Sequence, residues 1–216
     1  MKHAFRITWR SLRDTYEELF VLVGANLLAL LLFLPLVTGP PALAGLHYLG
    51  FHIATEKRIE FGFFWQGFKD YFLDSWKLAA LNVVVLGVLG GDVWFYLTQV
   101  QGAWRVLGFV GAWMLLIWIV AQLYTFPLLV RQEERKFFLL IKNSVLLTLA
   151  YPVFSLTAAV LLALVLALSI VVPVAFVLVG LSFAAVMSAH ALNHSIEMVE
   201  AYRAQQSQEQ DDDRTS

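Results

Sequence analysis

Cysteine is absent from the 216 residues, so disulfides, thiolate nucleophiles and cysteine metal sites are excluded. Charge is scarce as well. Asp, Glu, Lys and Arg make up 14% of the chain, where soluble domains carry about a quarter. That leaves too few polar groups to cover a water-facing surface, and a bilayer supplies the apolar solvent instead. The formal net charge of −1 offers nucleic acid no basic field. No glycine-rich nucleotide loop, serine or cysteine catalytic motif or redox-ligand set occurs, so an enzyme is the weakest functional class and no cofactor is expected.

Apolar residues dominate what is present: 60% of the chain is hydrophobic and the mean hydropathy is +0.72. The pattern predicts an all-α, polytopic membrane helix bundle of six spans, with both termini in the cytoplasm and amphipathic helices at the interface. Residues 1–18 read as a cytoplasmic interfacial helix. Phe5, Trp9, Leu12, Tyr16 and Leu19 recur at helical spacing, with Arg6, Arg10 and Arg13 on other faces. Residues 19–196 form the membrane domain. Residues 197–216 are a polar tail without apolar periodicity, expected to be disordered.

The spans follow from apolar runs and their breaks. Leu19–Val37 carries no charge and is stopped by Pro35 and the Thr38–Pro41 segment. Residues 41–55 would rise only about 22 Å as a helix, short of the roughly 30 Å hydrocarbon core, so the second span is short or re-entrant. An aromatic amphipathic segment, 60–77, precedes a third span over Leu78–Leu97. The fourth covers Ala103–Phe126 and is expected to end at Pro127. A charged break at 131–136 leads into a second amphipathic stretch over Phe137–Tyr151. The 40 residues from Val153 to Leu192 have no ionisable side chain except His190, and they read as two spans with a turn near 169–173. Of 15 lysines and arginines, only Arg105 falls outside four groups that this topology places on one side. That asymmetry orients the protein and favours a crossing by the short helix.

Asn26-Leu27-Leu28 through Leu34-Pro35-Leu36-Val37-Thr38, followed by Pro41-Ala42, Ala44 and Leu46, resembles the opening signature of the YesL-like family of small bacterial membrane proteins. Phe64, Phe68 and Lys69 resemble that family's F-x-x-x-F-K block. The resemblance covers about the first 80 residues by sequence and the remainder by topology. It implies a multi-pass bacterial inner-membrane protein linked to carbohydrate uptake, with no catalytic residues to carry over. An accessory or regulatory component of a membrane transport complex is the expected role. A small secondary transporter and a metal-dependent membrane enzyme are the alternatives.

Asp92 is an ionisable group inside a span and therefore a functional candidate, although it lies near the outer end, within possible reach of water or Arg105. Asn26, Asn82 and Gln122 are amides that either bond between helices or together line a polar cavity. His190, His194 and Glu197 share one helical face and form a weak candidate metal set; a polar helix end entering the cytoplasm is the plainer reading. His47 and His52, five apart, fit hydrogen bonding within the bundle better than catalysis. Gly87-x-x-x-Gly91 and the Ala159, Ala163, Ala167 spacing permit close helix packing. Between Phe61 and Trp76, eight of sixteen residues are Phe, Trp or Tyr. Phe64, Trp65 and Phe68 are the candidate docking residues there, against the simpler reading that these rings fix the depth of the third span.

Overall fold

In a low-dielectric solvent the backbone must satisfy itself, and apolar segments of this length do so as helices. The computed structural model describes residues 2–55, 60–132, 136–171 and 173–215, and these are helical with no strand among them. The helices are α1 (Lys2–Glu17), α2 (Leu19–Phe33), α3 (Gly39–Thr55), α4 (Gly62–Asp70), α5 (Phe72–Thr98), α6 (Arg105–Arg131), α7 (Phe137–Ala150) and α8 (Pro152–Val171). A single turn, α9 (Pro173–Ala175), and a π-helical turn (Phe176–Gly180) lead into α10 (Leu181–Thr215). Among the described residues, four helical segments are long and apolar enough to cross a membrane: Phe72–Thr98, Gly102–Arg131, Pro152–Ser169 and Phe176–Gln208. A fifth arises only if α1 and α2, bent by 92° at their junction, count as one span. The class these segments define is an all-helical, membrane-embedded protein. Lys57, Arg58 and Arg135, which contribute to the charge asymmetry, lie outside the described residues.

The right-angle bend frees α1 to lie across the end of the bundle. Ala4, Ile7, Thr8, Ser11 and Thr15 form its buried face. Thr8 and Ser11 return their hydroxyls to the carbonyls of Ala4 and Ile7, so these two pack with their donors satisfied, whereas the buried Thr15 hydroxyl has no partner among the described residues. Phe5, Trp9 and Tyr16 point outward. The aromatic face is therefore turned away from the protein.

α3 is the central element, packed by α2, α4, α5, α6 and α10. Pro40 and Pro41 sit in its first turn, where no amide donor is needed. Gly45 abuts the backbone of Phe64, Gly67 abuts Tyr48, and Gly50 abuts the backbone of Ala185 and Val186. α4 and α10 thus cross α3 at backbone distance. Around these crossings Leu22, Ala25, Leu46, Leu49, Phe64 and Val186 form one core. A second joins Leu78, Tyr124, Leu128, Leu140, Phe154 and Leu192. A hydroxyl cluster fastens the latter: Tyr124 and Ser155 are 2.7 Å apart, and Ser195 donates to Tyr124 at 3.2 Å.

Three sequence expectations need correction. Pro127 does not end the fourth span, since α6 continues to Arg131 with the proline inside it. Residues 120–130 are the packed half of that helix, and packing compensates for one missing backbone donor. The polar tail is helical rather than disordered, as α10 continues to Thr215. Its nucleus is already formed by the apolar segment, its residues include strong helix formers, and Gln206 and Ser207 each bond four residues back. Finally, Gly87 and Gly91 face open space, with nothing within 4 Å of a Cβ built at either. Ala163 and Ala167 are likewise exposed. The small-residue spacing was legible, but the close approaches occur at other glycines.

Candidate functional site

Polar and charged groups converge where α1 meets the last turn of α3 and the middle of α10. His3, Arg6 and Arg10 from α1 face His190, Asn193, His194 and Glu197 from α10, with Ala54 at the rim, around a cavity of about 370 Å³. Helical spacing explains the arrangement. Positions 3, 6 and 10 recur on one side of α1, and 190, 193, 194 and 197 on one face of α10. His190 is almost fully buried, and its Nε2 lies 2.7 Å from Oδ2 of Asp14. Arg10 reaches the same carboxylate at 4.0 Å. The Asp14–His190 bond pins α1 to α10 and joins residues 176 positions apart, so neither residue announces its partner locally. His194 stacks on His3, with ring centroids 5.1 Å apart, and meets Phe154 edge-on. Its Nδ1 is 3.6 Å from Glu197, while its buried Nε2 has no hydrogen-bond partner. Asn193 accepts a 2.8 Å bond from Arg131.

The structure brings the candidate metal residues to one wall without making them a ligand set. His190 Nε2 is occupied by Asp14, and among the described residues Glu197 approaches His194 alone. Among the described residues no group of three or more His, Asp or Glu side chains is arranged to hold a metal ion.

The three amides do not gather into one cavity: Asn82 and Gln122 pair with each other, and Asn26 lies apart from them. Asn26 is fully buried on α2 and holds the π-helical turn: its Nδ2 donates to the carbonyls of Phe176 and Val177 (3.2 and 2.6 Å), and its Oδ1 accepts from the Ser182 amide (3.0 Å). Asn82 on α5 donates to Gln122 on α6 at 3.2 Å and accepts from Trp118 Nε1 at 3.0 Å. Each amide therefore bonds between helices. His47 stacks on Phe126 with its Nδ1 3.2 Å from Ser188 Oγ, and His52 bonds the Tyr48 carbonyl, so both histidines serve the bundle.

Asp92 is half-buried between α5 and α6, in the space left by Gly111, and has no bonding partner among the described residues. Arg105 does not pair with it, donating instead to the Leu97 carbonyl at 3.0 Å. The docking residues divide. Phe64 is fully buried and Phe68 is 9% exposed, both in the core beside α3, so neither can meet a partner. Trp65 is 42% exposed, stacked on Phe68 and covered by Lys69 at 5.5 Å. Beyond these polar features, an apolar groove of about 520 Å³ runs between α5, α6 and α7, lined by Val84, Val88, Met114, Trp118 and Leu149 among others. Comparison with family models, curated proteins and solved structures returned no match.

Proposed function

We propose that this protein is a non-enzymatic accessory component of a bacterial inner-membrane transport assembly, with both termini in the cytoplasm. The observation that carries this reading is how the mid-bundle amides are used. A small secondary transporter needs polar groups converging at mid-membrane. Asn26 is committed to the π-helical turn, and Asn82, Gln122 and Trp118 are committed to one another. The link to carbohydrate uptake rests on the YesL-like resemblance of the first 80 residues, and of the three candidate docking residues Trp65 is the exposed one. Liposomes containing this protein alone should show sugar flux no greater than protein-free liposomes, while pull-down from native membranes should recover transport subunits. Trp65→Ala should reduce that recovery without lowering expression. Sugar flux by the protein alone would overturn the accessory role in favour of transport.

The topology has the basic clusters inside, α5, α6, α8 and α10 as full crossings, and α2–α3 as a hairpin that enters and leaves on the cytoplasmic side. The positive-inside rule fixes only parity here. Two crossings and one re-entrant hairpin put residues 2–17 and 60–77 on the same side. Three observations support the hairpin. α2 and α3 have 15 and 17 residues, about 22 and 26 Å, each short of the roughly 30 Å core. The tip is apolar and exposed, with Leu34 at 76% and Leu36 at 78%, where an aqueous turn favours polar residues. Trp76 Nε1 donates to the Val37 carbonyl at 2.8 Å, so the tip lies beside the first turns of α5 rather than its far end. The tip backbone is also largely self-satisfied, with Leu36 and Gly39 amides bonding Phe33 and Leu36 carbonyls and Thr38 bonding Leu32.

The cysteine-free chain suits single-cysteine labelling. Gln101→Cys should react with an impermeant maleimide added outside, whereas Leu36→Cys should be protected from both sides. External labelling at Leu36 equal to that at Gln101 would restore six full crossings.

A further inference from the structure

We propose that the cavity between α1 and α10 binds the phosphate group of an anionic phospholipid from the leaflet in which α1 lies. The assignment rests on the topology above, which puts α1 at headgroup depth on the cytoplasmic side. Arg6 and Arg10 present two guanidinium groups to the cavity, and guanidinium geometry suits phosphate oxygens. Both remain exposed at the cavity mouth. The neighbouring carboxylates are already engaged. Asp14 is bonded by His190 and approached by Arg10, and Glu197 turns toward His194 with its side chain 74% exposed. Asn193 is oriented by Arg131, which adds a third positive charge behind the wall. The unpartnered Nε2 of His194 lies in that wall beneath His3. Movement of the His3 ring would open it to a phosphate oxygen.

Position favours a lipid over a soluble anion. On the same helix, Phe5, Trp9 and Tyr16 point away from the protein at 66%, 67% and 78% exposure. Rings and arginines on adjacent faces of one interfacial helix place the cavity mouth level with lipid phosphates and the rings at the headgroup–acyl boundary. Basic pockets at the cytoplasmic ends of membrane helices are suited to headgroups for this reason. A cavity of about 370 Å³ admits a glycerophosphate unit and leaves the acyl chains outside.

The test uses the full-length protein in neutral detergent, with phosphatidylglycerol, phosphatidylcholine and inorganic phosphate as separate probes. Binding is read by native mass spectrometry and by the shift in Tm. Phosphatidylglycerol should remain bound and raise Tm more than phosphatidylcholine does. The double variant Arg6→Gln/Arg10→Gln should weaken its binding about tenfold or more. Arg13→Gln is the control, because Arg13 is on the same helix and exposed but bonds Glu17 at 2.8 Å and does not line the cavity. It should leave lipid retention unchanged. An equal response to inorganic phosphate would keep the phosphate site and assign it to a soluble ligand, overturning the lipid source. Equal retention of phosphatidylglycerol by the double variant, or an equal loss in Arg13→Gln, would overturn the site itself. The labelling pattern at Leu36 and Gln101 is independent of these outcomes, so a failed topology and a failed site remain distinguishable.

Discussion

Gly50→Val is expected to give the largest loss of folded protein of any single substitution in the bundle. A Cβ at Gly50 would sit 2.8 Å from the Ala185 carbonyl carbon, 2.9 Å from the Val186 amide nitrogen and 3.0 Å from the Ala185 oxygen. All three are backbone atoms of α10, so no side-chain rotation can relieve the clash and the helices must separate. Separation would open the core that buries Leu46, Leu49, Ala185 and Val186. Overpacking costs about 1–3 kcal/mol where side chains can yield. Here the neighbours are backbone, so the upper end of that range, about 3 kcal/mol, is the expectation. Gly87→Ala supplies the contrast. Nothing lies within 4 Å of its Cβ, and replacing a helical glycine should be neutral or stabilising by about 0.5–1 kcal/mol. The measurement is Tm in detergent with the monodisperse fraction on size exclusion. An unchanged Tm for Gly50→Val would mean that α3 and α10 do not touch through their backbones.

These two glycines also mark where sequence reading stops. Periodicity and proline positions locate the helices, because helix formation in an apolar solvent is a local property. The helix starts at Leu19, Phe137 and Pro152 fall within a residue or so of the apolar boundaries. Partners are not local. Gly87-x-x-x-Gly91 has the recognised spacing yet faces open space, while Gly45, Gly50 and Gly67 lack it and carry the crossings. The candidate site shows the same division. The α10 face of His190, His194 and Glu197 follows from spacing alone, but Asp14 and the arginines of α1 arrive from the other end of the chain. The aromatic segment could be read for density but not for direction. That Phe64 points inward and Trp65 outward depends on where α3 runs.

The chain's second-largest sensitivity is expected at Asn26, through polar satisfaction rather than volume. The π-helical turn at Phe176–Gly180 departs from the regular i to i+4 ladder before α10 resumes it. Asn26 compensates from a helix 150 residues earlier in the chain, donating to Phe176 and Val177 and accepting from the Ser182 amide. Ser182 extends the link by donating its hydroxyl to the Leu22 carbonyl at 3.0 Å. Asn26→Leu keeps the branched outline of the side chain but leaves the two carbonyls and the Ser182 amide without this partner in an apolar interior. Each buried unsatisfied group costs about 1–3 kcal/mol in water-soluble proteins, whereas interhelical bonds in membranes average nearer 0.6 kcal/mol. The sum expected for Asn26→Leu is therefore about 2 kcal/mol, read as a lowered Tm in detergent. Asn26→Asp should be worse despite its matching shape, because an ionised carboxylate donates nothing to the two carbonyls and adds a buried charge. Ser182→Ala removes the hydroxyl but retains the amide that Asn26 accepts from, so alone it should cost less. Combined with Asn26→Leu it should add less than its single effect, since the two side chains share one network. Strict additivity in that cycle, or an unchanged Tm for Asn26→Leu, would show that the turn holds its shape without the amide.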